Sequence, residues 1–77
     1  MATREQPDGP TLRVFVNDEV RLVPVGSTVG DLVSTLGLQQ AQVAVERNKG
    51  IVRRADYATT SLGEGDRLEI VTFFGGG

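Results

Sequence analysis

The sequence predicts an α+β domain, a mixed sheet of four to five strands packed on one helix, and three observations carry that reading. Several short stretches alternate apolar and polar side chains with period two, as half-buried strands do. One stretch alone switches to the i, i+3, i+4, i+7 spacing of a helical face. The chain has 77 residues, a length that holds one compact core and buries roughly 60% of its unfolded surface.

Residues 1–10 contain two prolines and a glycine and no periodicity, which reads as a disordered arm. The predicted domain runs over residues 11–74, with 75–77 as a flexible tail. In "TLRVFVN", Leu12, Val14 and Val16 share one face of a strand while Arg13, Phe15 and Asn17 share the other. Asn17-Asp18 supplies turn chemistry, and "EVRLVPV" resumes β-branched character, so the two form a hairpin. Pro24 lacks a ladder donor, which makes the second strand an edge strand or ends it there.

"GSTVGDLVSTLGL" places Val29, Leu32, Val33 and Leu36 on one helical stripe. Thr28 is the expected N-cap, with Ser27 competing, and Asp31 favours the positive end of the helix dipole. Gly37 is placed to end the helix after about ten residues, with Leu38 packing back. Gly30 weakens the helix by ~1 kcal/mol relative to alanine, so tertiary packing must hold it.

After the polar link "QQAQ", "VAVERN" alternates with Val43 and Val45 inward, and "GIVRR" follows the turn signal Asn48-Lys49-Gly50 as a short fourth strand. "ADYATTSLGEGD" is irregular, with Tyr57 and Leu62 as the apolar points able to pin it to the core. The last strand is expected over Arg67 to Phe74, with Leu68 and Ile70 inward. One helix covers one sheet face and leaves the other to solvent or partners. With the first and last strands adjacent at the sheet centre, the β-β-α-β-β-β order is that of a ubiquitin-like β-grasp.

Composition excludes several functions. The net charge of −2 and the lack of any Lys/Arg cluster longer than Arg53-Arg54 argue against nucleic acid as a partner. No apolar run approaches ~18 residues and "MATREQPDGP" carries no apolar signal segment, so no membrane is expected and the cytoplasm is the expected compartment. With no Cys and no His, the chain holds no thiol nucleophile, imidazole base or ordinary zinc-ligand set. Its carboxylates show no spacing that would oppose two across a pocket. Neither a resident metal nor catalysis by its own side chains is expected.

The stretch "RLEIVTFFGGG" then poses a question, because Gly75, Gly76 and Gly77 cost entropy to order and add no packing surface. They are either a frayed end or a handle for chemistry performed by another protein. Alternation also puts Phe15, Ala44, Val71 and Phe73 on the helix-free face, with Phe73 and Phe74 next to the tail. That face is either ordinary scattered apolar surface or a docking patch. Arg53, Arg54 and Arg67 read as solvated, since exposed ion pairs contribute only ~0–1 kcal/mol.

From about Leu12 to Gly77, and most clearly in "VAVERNKGIVRRADY" and "LGEGDRLEIVTFFGGG", the chain resembles the ThiS family, the sulfur carriers of thiamine biosynthesis. It departs where the family often has a proline, at Arg53, and in its longer N-terminal arm. The resemblance implies that the Gly77 carboxylate is adenylated by an E1-like enzyme of the ThiF type, using ATP and Mg²⁺, and becomes a thiocarboxylate. A sulfur donor such as a cysteine desulfurase supplies the sulfur, and thiazole synthase of the ThiG type receives it. The carrier is then a protein co-substrate rather than an enzyme. Gly76 and Gly77 are the functional tail and Gly75 a spacer, and a glycine end suits a narrow channel because it has no Cβ. Two other readings stay open: the small subunit of molybdopterin synthase, whose family usually has prolines where this chain has "VTFF", and a ubiquitin-like modifier or binding module.

Overall fold

A computed structural model describes residues 9–73. The elements are β1 (Thr11–Val16), β2 (Glu19–Pro24), α1 (Val29–Thr35), a 3₁₀ turn at Gln40–Gln42, β3 (Val43–Arg47), β4 (Gly50–Val52), a second 3₁₀ turn at Arg54–Asp56, and β5 (Arg67–Thr72). The strands form one mixed sheet in the order β2-β1-β5-β3-β4. β5 is central, parallel to β1 and antiparallel to β3, so the first and last strands are adjacent as expected.

Both hairpins close through two-residue turns whose central residues have positive φ: Asn17 (51°) and Asp18 (72°), then Asn48 (51°) and Lys49 (73°). These are the values of a type I′ turn, whose twist matches the strands it joins. Gly50, which belongs both to the turn signal and to "GIVRR", opens β4 opposite Arg47, and the strand stops at Val52 rather than reaching Arg54. β2 is an edge strand and also ends at Pro24, so both consequences of that proline are realised.

The helix is shorter than the stripe suggested, seven residues instead of about ten. Its end is set by Gly37 at φ 76°. There Leu38 N–H donates to the Val33 carbonyl at 3.1 Å and Gly37 N–H to the Ser34 carbonyl at 2.9 Å, the pair of bonds of a Schellman closure. Leu36 is consequently the C-cap and only partly buried, whereas Val29, Leu32 and Val33 are fully buried.

At the other end Thr28 is the N-cap. Its Oγ1 accepts from Asp31 N–H at 3.1 Å, and Asp31 Oδ2 accepts from Thr28 N–H at 3.0 Å, a reciprocal capping box. The remaining donors of the first turn go to the irregular segment: Val29 N–H to the Thr60 carbonyl and Gly30 N–H to the Tyr57 carbonyl, each at 2.9 Å. That approach explains Gly30, where a Cβ would lie 3.3 Å from Gln40 Nε2 and 3.4 Å from the Tyr57 carbonyl oxygen.

The core lies between α1 and the inner sheet face. Val14, Val16, Val23, Val43, Val45, Leu68 and Ile70 line it from the sheet, and Tyr57 and Leu62 enter from the segment between β4 and β5. Among the described residues no helix is long and apolar enough to cross a membrane.

Candidate functional site

Asn17 and Asn48 hold β5 from opposite sides. Asn17 Nδ2 donates to the Ile70 carbonyl at 3.1 Å and its Oδ1 accepts from Ile70 N–H at 2.9 Å. A side-chain amide thus reproduces one rung of a ladder past the last β1–β5 pair, Val16 with Leu68. On the other side Asn48 Oδ1 accepts from Arg67 N–H at 2.9 Å, while Asn48 Nδ2 donates to Asp66 Oδ1 at 3.1 Å. The strand that leads into the C-terminal residues is thereby bonded from both sides, at Arg67 and at Ile70. β5 ends at Thr72, short of Phe73, although Phe73 N–H still donates to the Gln42 carbonyl at 2.9 Å, and Phe74, the expected end of the strand, lies outside the described residues.

Side chains of the helix-free face divide into two groups. Val71 stands directly opposite Ala44 on β3, and Phe73 follows it by two residues on the same face. Val71 is 58% and Phe73 47% exposed, so this end of the face is an open apolar patch. Phe15 shares the face but sits beside Arg67, four residues from Val71 along β5, or about 13 Å at strand rise. The patch expected to hold Phe15 together with Val71 and Phe73 is therefore split by the register of the parallel pair. Alternation within strands identifies a face, whereas position along it depends on pairing.

Around Phe15 the surroundings are charged. The Arg67 guanidinium carbon lies 4.6 Å from the centre of the Phe15 ring, a cation–π contact. An open groove of about 640 Å³ runs past Phe15, Asp18, Glu46, Lys49, Arg67 and Glu69. Glu46 and Glu69 are directly opposed across β3 and β5, a like-charge pair that costs stability. No sequence signal marked that opposition, because it depends on the β3–β5 register. Phe74, Gly75, Gly76 and Gly77 lie outside the described residues. Among the described residues no three His, Cys, Asp or Glu side chains are grouped to hold a metal ion.

The model of the ThiS family matches residues 10–77. A sulfur carrier protein ThiS of Bacillus subtilis is 42% identical over 50 residues, which are 65% of this chain and 76% of that protein. Two proteins named thiazole synthase, from Paramagnetospirillum magneticum and Magnetococcus marinus, are 42% and 39% identical over 66 residues, 86% of this chain in each case. The chain spans about a fifth of their length, 20% in both. The crystal structure of a thiamine biosynthesis protein (ThiS) from Geobacter metallireducens superposes with a TM-score of 0.71 at 32% identity, covering 86% of this chain and all of that one (100%). With the same single helix on a five-stranded mixed sheet, and a family match that runs through the tail glycines, the chain is a ubiquitin-like β-grasp protein and belongs to the ThiS family.

Proposed function

We propose that the protein is a sulfur carrier of thiamine biosynthesis that works through the Gly77 carboxyl group. The observation that carries this is a ThiS family match reaching Gly77 itself, on a chain whose side chains include neither Cys nor His.

A carboxylate is a poor acyl donor, and its activation needs a leaving group. Attack of a Gly77 carboxylate oxygen on the α-phosphorus of ATP forms an acyl-adenylate and releases pyrophosphate. The terminal sulfur of a persulfide on a donor such as a cysteine desulfurase then adds to the carbonyl carbon, and AMP leaves with the C–O bond electrons. A second thiol attacks the donor sulfur of the resulting acyl disulfide, forming a disulfide with it and releasing the acyl-bound sulfur. The product is a thiocarboxylate. The catalytic groups and the Mg²⁺ belong to an E1-like activating enzyme of the ThiF type, and the carrier supplies the carbonyl and a narrow tail. Glycines at 76 and 77 keep that tail free of Cβ atoms, so that it threads a closed channel. The match to stretches of two proteins named thiazole synthase supports thiazole synthase as the acceptor of the sulfur. Such chemistry belongs to the cytoplasm, where ATP is available.

Intact-protein mass spectrometry after incubation with the activating enzyme, ATP and a sulfide source tests this. The expected result is one oxygen replaced by sulfur at the C-terminus. A chain extended by one residue beyond Gly77 keeps its fold and gains sulfur at least about a hundredfold more slowly, since ~1 Å of displacement can cost that much in rate. Equal gain by the extended chain overturns the proposal.

A further inference from the structure

β5 is paired with β1 only at Arg67 and Leu68 and with β3 from Leu68 to Thr72, so that among the described residues its end has one strand neighbour. Asn48 N–H donates to the Arg67 carbonyl at 2.7 Å and Phe73 N–H to the Gln42 carbonyl at 2.9 Å. Alternation then fixes residues 67, 69, 71 and 73 as those whose main-chain groups face β3. Residues 68, 70 and 72 face the β1 side. There the Leu68 carbonyl accepts from Asn17 N–H at 2.9 Å, and both main-chain groups of Ile70 are bonded to the Asn17 side chain. Thr72 is the next position. The β1–β2 turn has already ended, and no described residue partners its N–H or C=O. Among the described residues, the β1 side of the central strand is an open edge past Ile70.

An open edge is a template for an added strand, with affinity from main-chain hydrogen bonds and selectivity from side chains on alternate faces. Here the flanking residues of the outer face, Val71 and Phe73, are exposed and apolar. Gly77 follows Thr72 by five residues, at most about 17 Å of extended chain. A protein that encloses the Gly77 carboxyl group therefore comes within about 17 Å of this edge. We propose that thiazole synthase adds an extended segment of its own main chain to β5 at Thr72. This rests on the carrier reading above, and the partner is chosen because sequences matching this chain occur within proteins of that name. The added strand takes the place that β1 vacates beyond Asn17, and the tail is held in register by its backbone rather than by side-chain charge.

Amide hydrogen exchange by NMR, on the full chain with and without thiazole synthase, tests the proposal. In the free chain the Thr72 amide is expected to exchange at least about tenfold faster than that of Val71, which lies in the β3 ladder. In the complex it is expected to slow by about tenfold or more. Thr72→Pro removes a donor the fold does not use and is expected to weaken binding about tenfold or more with little change in melting. Thr72→Ala keeps the backbone and is expected to bind within about twofold of the native chain. A complex in which Thr72 exchange is unchanged overturns the proposal, as does native-strength binding by Thr72→Pro or an equal loss in Thr72→Ala. If Thr72→Pro melts early, exchange on the native chain decides. Protection that grows with carrier concentration alone identifies a second copy as the occupant and overturns thiazole synthase. Absence of any complex overturns both this and the choice of sulfur acceptor, whereas a Thr72-protected complex that transfers no sulfur overturns the carrier reading alone.

Discussion

Two asparagines do more than turn the chain. Asn17 and Asn48 occupy the first position of their turns with positive φ, which asparagine tolerates better than most residues. The same side chains then bond β5. Replacing Asn17 with glycine keeps the backbone conformation accessible and removes only the amide, so the change isolates the two bonds to Ile70. The expected loss is about 1–2 kcal/mol, because two main-chain groups of a half-buried rung lose their partner. Urea denaturation of Asn17→Gly against the native chain measures it, and an unchanged midpoint would mean that water replaces the amide without cost.

Among elements, the helix and the second hairpin carry opposite lessons about stability. Leu32 is fully buried within α1 while Leu36, on the same stripe, is only partly so because the Schellman closure lifts it to the cap. Leu32→Ala is therefore expected to cost about 2–5 kcal/mol and Leu36→Ala clearly less, as the cavity left behind scales with burial. Chemical denaturation of the two variants side by side checks the order. In the β3–β4 turn, Lys49 holds a φ of 73°, a conformation that costs a residue with a Cβ roughly 1–2 kcal/mol. Lys49→Gly creates the Asn-Gly pair that a type I′ turn favours and is expected to raise stability by up to about 1 kcal/mol, read as a higher melting temperature.

For the whole molecule, the parallel pairing of β1 with β5 joins residues from the two ends of the described chain. Because β5 also pairs with β3, it is the element through which the two hairpins become one sheet. A chain ending before Arg67 is expected to lose cooperative unfolding, as judged by circular dichroism during heating. Removing residues 74–77 is a different matter, since the buried core among the described residues runs from Val14 to Ile70. That variant is expected to melt within a few degrees of the native chain and to gain no sulfur in the mass-spectrometric assay. A large drop in melting temperature would show that the tail supports the fold.

Local periodicity determined most of the fold. Val14 and Val16, Val43 and Val45, and Leu68 and Ile70 alternate within single strands, and Val29, Leu32 and Val33 follow one helical stripe, so each inner face could be read from neighbours a few residues apart. Thr28 and Gly37 were legible as helix ends for the same reason, since caps act within one turn. The glycines at 75–77 and the ThiS-like stretches likewise gave the family from the linear chain. Register was a different kind of information. That Phe15 stands beside Arg67 and apart from Val71, that Glu46 faces Glu69, and that Thr72 lies beyond the reach of β1 all depend on how strands distant in sequence slide against each other. Alternation specifies which face a side chain occupies but is unchanged when a strand shifts by two residues, so only the packed sheet, with both asparagine turns bonded to β5, decides where along that face each side chain comes to rest.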